Sequence, residues 1–531
     1  MTEVVRSVPT GADGGGFSLR SIGHSAALVA VASMFAQFFS LGRELFVASR
    51  VGTSPDLDAL LVALVLPTLL SGLLSSGIAA AVVPAYIRLE ASSGERAASS
   101  FLTSVIAWGL LVATFVTLAL SEAPGLAVLI AGPGLNGSAR ETAIGFVPIV
   151  APIVIFGFVA SLLSTACQIN LRFRAIALGV VAGPVVSLIV TVLLWDRLGL
   201  QALAIAWTVN VLTTSVVLCA YALAARLLAK PGLRQDAAEV RRFSRHAAPL
   251  TVSALVNNSR LFTDRAVASL LPPGSISSLR YGDALVGVPA QAIAPAWTLA
   301  VYPVLVRAHQ AKAASFGASV HVAMRYVLAV FVPLAVATVA LAPLLVDVVY
   351  ARGAFAAAAA ASTVAVVAGL APMIVLTMIQ AVLVPAHNAR RSGVFLLQVG
   401  IIAAVSNLVL DVALGVVLGV GGVALSTSLT LAIGVVIMAL RLARDEPDFR
   451  VRELAAVGAR ATAASIVSAV PIAIVAWGSG GLGSLVANLA ALAVLTLAGL
   501  AVYVPLASRL RLAEPLIIVR LALGRIHMTT G

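Results

Sequence analysis

The stretch Asp58–Tyr86, DALLVALVLPTLLSGLLSSGIAAAVVPAY, passes from Ala59 to Ile87 without one charged side chain. A helix crosses the hydrocarbon layer with roughly 20 apolar residues, because every backbone N–H and C=O must be paired inside the segment. Comparable runs follow almost back to back from Ser21 to Ser508, bounded by charge or by Gly and Pro clusters. They predict helices over 22–49, 58–86, 101–120, 144–169, 175–195, 200–228, 247–271, 281–306, 325–350, 362–386, 393–417, 420–441, 455–478 and 482–508. The expected fold class is all-α: a polytopic membrane protein of about fourteen transmembrane helices.

Composition agrees with that reading. Of 531 residues, 61% are hydrophobic and 10% charged, which excludes an ordinary soluble domain. The formal charge of +13 is not a nucleic-acid footprint, because the basic residues sit in short breaks between apolar runs with no interleaved aromatics. No nucleic-acid partner is expected. Lys and Arg gather in every second break: Arg88 and Arg96, Arg172 and Arg174, Arg226 to Arg245, Arg307 to Arg325, Arg390 and Arg391, Arg441 to Arg460. The other breaks hold only Arg50, Arg140, Arg197, Arg280 and Arg352. Positive loops face the cytoplasm, so both termini are expected there, in a multi-pass protein of a bacterial inner membrane. Cys167 and Cys219 lie in apolar runs without metal-ligand spacing and read as small core residues. The N-terminus through Gly16 is polar and Gly-rich, so no cleaved signal peptide is expected.

An internal repeat organises the chain. Glu44, Val47-Ala48-Ser49 and Asp58-Ala59-Leu60 recur as Asp264, Val267-Ala268-Ser269 and Asp283-Ala284-Leu285, at an offset of about 220 residues. The segment from Gly199, GLQALAIAWT, echoes the segment from Gly419, GVGGVALSTS, at the same offset. Six helices separate the copies, so the repeat predicts two parallel six-helix lobes plus two C-terminal helices. The expected divisions are a cytoplasmic tail 1–21, an N-lobe 22–229, a basic cytoplasmic linker 230–246, a C-lobe 247–441, a cytoplasmic loop 442–454, helices 13 and 14 over 455–508, and a cytoplasmic tail 509–531. Leu512 to His527 reads either as an amphipathic surface helix or as a disordered tail.

Charge at the bilayer centre costs roughly 2.5–3.5 kcal/mol on insertion scales, so intramembrane ionisable residues mark the interior or a wet cavity. Here they are Arg43, Glu44, Asp58, Arg260, Asp264, Arg265, Asp283 and Asp411. Arg43 and Glu44, adjacent on a helix, point about 100° apart and each needs another partner. For Arg43 the sequence leaves two readings open: an interfacial or structural role, with Asp58 as the partner in a salt bridge, or a grip on a substrate phosphate through its planar fork. Asn407 and Asp411 share one helix face, as Val423 and Thr427 share another. With Asp264 they form the hard-oxygen set that suits a small cation, or else a buried polar network locking three helices. No H-E-x-x-H, Walker A, G-x-S-x-G or Cys/His cluster occurs, so no enzymatic activity is expected and energy must come from gradients or membrane potential.

Several ordered motifs resemble the MurJ (MviN) family of lipid II flippases, within the multidrug/oligosaccharidyl-lipid/polysaccharide exporter superfamily. They are Gly42-Arg43-Glu44 through Val51-Gly52, Asp58-Ala59-Leu60, Leu66-Pro67-Thr68-Leu69-Leu70 and Val83-Pro84, then Thr263-Asp264-Arg265, Ala268 through Pro272, Gly274 through Ser277, Tyr281-Gly282-Asp283 and Val288-Pro289. The resemblance spans nearly the whole chain and implies two lobes that open alternately to each side. It implies cavity arginines that hold a lipid diphosphate, with Arg43, Asp58, Gln37, Arg260, Arg265 and Asp283 as candidate substrate-binding residues. It also implies a sodium ion on Asp264, Asn407, Asp411, Val423 and Thr427, and no other cofactor. Four family polar positions have changed: Gln37 and Ser71 replace arginines, and Ala284 and Gly287 replace an Arg and a Glu. The expected function is therefore ion-coupled flipping of a lipid-linked cell-wall precursor, with membrane lipids and cell-wall synthesis enzymes as partners. A drug or metabolite cation antiporter and a non-transporting scaffold for envelope enzymes are the alternatives.

Overall fold

Large apolar side chains point outward along most helices, and Phe38, Phe115 and Leu193 are each more than 70% exposed. Such a surface is stable against lipid and not against water. The computed structural model describes residues 19–230, 243, 245, 247, 251, 258–287, 316–355, 357–390, 392–478, 484–512 and 514–516. The N-terminal tail through 18, most of the basic linker and the stretch 517–531 lie outside the described residues.

The first part of the chain forms α1 (Leu19–Val51), α2 (Pro55–Ala63), α3 (Val65–Ser93), α4 (Glu95–Glu122), α5 (Pro124–Ala131), α6 (Gly137–Val150), α7 (Ile153–Ile169), α8 (Phe173–Leu198) and α9 (Leu200–Ala224). Described parts of two further helices cover 258–268 (α10) and 275–287 (α11). Then come α12 (Phe316–Ala340), α13 (Ala342–Tyr350), α14 (Ala357–Ala389), α15 (Gly393–Leu418), α16 (Val420–Asp445), α17 (Val451–Gly478) and α18 (Leu485–Arg509). The protein is all-α and crosses the membrane many times: among the described residues, 11 helical spans are long and apolar enough to do so. Parts of the expected seventh and eighth helices lie outside the described residues, and α1 is helical over its whole expected range.

Three expected helices are broken. The second divides at Leu64 into α2 and α3, the one expected over 144–169 divides at 151–152 into α6 and α7, and the one expected over 325–350 divides at Leu341 into α12 and α13. Uniform apolarity hides such breaks, because a kink changes direction without changing solvent. The eighth helix also starts earlier than expected, at 275 rather than 281, which brings Arg280 inside it.

Packing falls into two groups. Helix α8 packs on α1 and α9, α7 on α3 and α9, and α2 on α6; later in the chain α14 packs on α12 and α16, α16 on α15, and α17 on α12 and α18. The repeated segments occupy matching places, since Gly199 (φ +52°) joins α8 to α9 and Gly419 (φ +61°) joins α15 to α16. Both turns need the left-handed backbone that glycine adopts without strain.

The groups meet at one end. The Ala354 N–H donates to Ser49 O at 2.8 Å, the Tyr281 hydroxyl to Gly52 O at 3.0 Å, and Gly134 N–H to Ser269 Oγ at 3.0 Å. Gly52 and Gly353, at φ +59° and +62°, let the backbones touch: a Cβ on Gly353 would lie 2.1 Å from Ser49 O. Toward the opposite end Gly77 packs on Thr251, where a Cβ would lie 2.5 Å from the threonine Cα. The space between these closures holds the candidate site.

Candidate functional site

A cavity of about 280 Å³ lies where the two groups face each other, with Arg43, Thr68, Trp207, Asn210, Arg265 and Arg280 in its wall. The break residue Leu64 and Ile153, the first residue of α7, also line it, so two of the unexpected helix breaks shape this space. Arg43 is only 4% exposed, and its Nη1 donates to Ser187 Oγ on α8 at 2.7 Å. Its guanidinium carbon sits 5.3 Å from the Trp207 ring centre, and that of Arg280 sits 5.8 Å from the same ring. The indole face thus gathers two cations from different groups by its quadrupole.

Glu44 joins them. Arg280 Nη2 reaches Glu44 Oε1 at 2.7 Å, and Arg43 Nη2 approaches the same oxygen at 3.5 Å. As expected from helix geometry, Arg43 and Glu44 each take a main partner elsewhere. The lining residues include three arginines and no carboxylate, with Glu44 and Asp283 behind them offsetting part of the charge, so the cavity wall itself is positive. Arg43 Nε, Arg280 Nε and Trp207 Nε1 are buried donors without an acceptor. Unpaired buried donors are costly, and an acceptor-rich anion would satisfy them.

Of the candidate substrate residues, Arg43 and Arg265 line this cavity, and Gln37 is not among its lining residues. Asp58 does not pair with Arg43. Its carboxylate accepts the backbone N–H of Gly274 at 2.6 Å and of Ser277 at 2.7 Å. It therefore caps the N-terminus of α11 from the opposite group, where free amides and the helix dipole favour an anion. Arg260, Arg265 and Asp283 line a small pocket of about 30 Å³ together with Asp264, Arg280 and Thr427. This seam connects the arginine cavity to the second site.

The sequence reading missed Arg280, Trp207, Asn210 and Ser187. Arg280 lies four residues before Ala284, where the family pattern led us to expect an arginine, and so on the same helix face. A search one turn to either side of the lost position would have found it.

The candidate cation residues come together as expected. Asn407 Nδ2 donates to Asp264 Oδ1 at 2.8 Å and to Asp411 Oδ2 at 2.5 Å, and Thr427 Oγ1 donates to Asp264 Oδ2 at 3.2 Å. Ser426, a residue the sequence reading did not single out, donates to Asp411 Oδ1 and also to the Val423 carbonyl at 2.8 Å. Asn407 and Asp411 are fully buried, and Asn407 Oδ1 has no partner. Among the described residues no basic side chain forms an ion pair with Asp264 or Asp411. Two neighbouring buried carboxyl groups without a contact ion pair and an orphaned amide oxygen fit a small hard cation.

Comparison with known proteins fixes the family. The family model described as lipid II flippase MurJ matches residues 47–491. The chain belongs to the MurJ family. A lipid II flippase MurJ from Burkholderia cenocepacia is 26% identical over 294 residues, 52% of this chain and 55% of that protein. The chain thus spans about half the length of the curated relative it matches. A solved MurJ in the inward closed conformation superposes with a TM-score of 0.77 at 20% identity, covering 92% of this chain and all of the other. An inward-facing multidrug resistance MATE transporter of the MOP superfamily follows at 0.62 and 16% identity, covering 79% of this chain and 98% of that one. The MurJ and MATE structures share the fold with this chain.

Proposed function

We propose that this MurJ-family chain moves a lipid-linked cell-wall precursor, lipid II or a related undecaprenyl-diphosphate-linked glycan, from the cytoplasmic to the outer leaflet. The observation that carries the reading is the convergence of Arg43, Arg265 and Arg280 on one cavity between two helix groups, with unpaired donors in its wall. A diphosphate supplies several acceptor oxygens and matches the guanidinium fork. The same positive wall disfavours an antiporter for cationic drugs.

In this reading the two groups are the N-lobe and C-lobe, and the protein lies in the inner membrane with both termini cytoplasmic. The closed end built by Ser49, Gly52, Asp58 and Ala354 faces outward. A bound diphosphate takes the place of Glu44 beside Arg280, and the lobes then rock to open that end. The cluster of Asp264, Asn407, Asp411, Val423 and Thr427 holds a sodium ion that couples the motion to a gradient. Cell-wall synthesis enzymes are the expected consumers of the cargo.

The test is complementation of a strain depleted of its own lipid II flippase. The unaltered chain restores growth, and Arg43→Ala, present at equal membrane level, does not. Full rescue by Arg43→Ala would remove the arginine cavity from the mechanism.

A further inference from the structure

Arg260 precedes Asp264 by one helical turn on α10, so both side chains leave the same face. Arg260 nevertheless makes no ion pair among the described residues. Its Nη1 rests 3.8 Å from Met373 Sδ, a weak acceptor for a guanidinium. The side chain borders two spaces at once. One is the small pocket it shares with Asp264 and Thr427. The other is a cavity of about 900 Å³ inside the second helix group, which extends from Asn388 and Gly393, at the turn between α14 and α15, to Asn407 at the carboxylate cluster.

We propose that Arg260 is a tethered cation that alternates with the transported ion on Asp264 and Asp411. When the ion leaves, the guanidinium swings from the large cavity onto the carboxylates; when the ion binds, it is pushed back toward Met373. The inference rests on the reading of this cluster as a cation site. The physical need is plain: the neutral donors Asn407, Ser426 and Thr427 hold two adjacent buried carboxyl groups without a contact ion pair, and any charge on them is penalised by low-dielectric surroundings. A flexible arm one turn away offers compensation without leaving the helix. Ion affinity then becomes a difference between two cations, which weakens binding and eases release toward the cavity.

The experiment measures the sodium concentration that half-maximally raises thermal stability in lipid nanodiscs, with choline chloride holding ionic strength constant. Removing a unit charge within about 8 Å of a cation is worth roughly tenfold or more in affinity. Arg260→Gln and Arg260→Ala should therefore lower the sodium midpoint at least about tenfold, while Arg260→Lys stays near the unaltered protein. Free guanidinium chloride, below denaturing concentration, should raise the midpoint again in Arg260→Ala, because it refills the vacated place. An unchanged or higher midpoint in Arg260→Gln overturns the proposal, as does a lowered midpoint that guanidinium cannot restore, since that would mean action at a distance only. Arg260→Met, which keeps an apolar stem against Met373, replaces either variant that misfolds. If sodium stabilises the unaltered protein no more than Asp411→Asn, and stabilises none of the Arg260 variants, the cation site itself fails and the tethered arginine falls with it.

Discussion

At the scale of single residues, the arginine cavity is an arrangement of long side chains from distant segments. Arg43 could be singled out in the sequence because a charge in an apolar run is costly there, but its partner could not, since Ser187 lies 144 residues away. Arg280 was assigned to a loop, and its role depends on the early start of α11 and on Glu44 reaching it across the groups. Breaking this pair leaves Glu44 buried without its strongest partner, at a cost of about 3 kcal/mol, the low end for buried pairs because Arg280 is partly exposed. Arg280→Ala should therefore lower the unfolding temperature and abolish complementation. Arg280→Lys should restore the stability but only part of the activity, because an ammonium lacks the bidentate fork. Wild-type complementation by Arg280→Ala would show that the fold, not the cargo, uses this residue. The cluster around Asp264 and Asp411 was far more legible: Asn407 with Asp411 and Val423 with Thr427 are placed on shared helix faces by periodicity alone.

At the scale of elements, glycine does two different things. Gly199 and Gly419 have positive φ but nothing near a new Cβ, so alanine there costs only the positive-φ backbone strain of about 1–3 kcal/mol. Gly353 carries the same strain and in addition a Cβ 2.1 Å from Ser49 O, which forces the two groups apart. Gly353→Ala should raise the labelling of Ser49→Cys by a membrane-impermeant maleimide several-fold, while Gly199→Ala and Gly419→Ala leave it unchanged. Equal labelling in all three would mean that the close approach at Gly353 does not hold this end shut. Helix positions along the chain were readable from apolar runs. The breaks at Leu64, 151–152 and Leu341 were not, because both halves of each bent helix are apolar in sequence.

At the scale of the whole molecule, Asp58 is a second carboxylate, beside Glu44, that ties the groups together. Asp58 on α2 caps α11 through two amides, and charge-assisted bonds of this kind are worth about 1.5–3 kcal/mol each. Asp58→Asn keeps one acceptor and loses the charge. It should shift the population toward the state with this end open, read as increased labelling of Ser49→Cys while Gly77 and Thr251 keep the other end closed. No change in this labelling would reduce Asp58 to a local cap. The amino-acid sequence by itself determined that the chain is an all-helical membrane protein, and that Asn407 with Asp411 and Val423 with Thr427 share helix faces. Those features follow from the solvent and from helix periodicity, and both are written locally. Tertiary structure alone decided that Asp58 caps α11 instead of pairing with Arg43, and that Arg280 and Trp207 complete the arginine cavity. These depend on how two distant helix groups meet, and in lipid no alternation of polar and apolar residues records which face of a helix turns toward the other group.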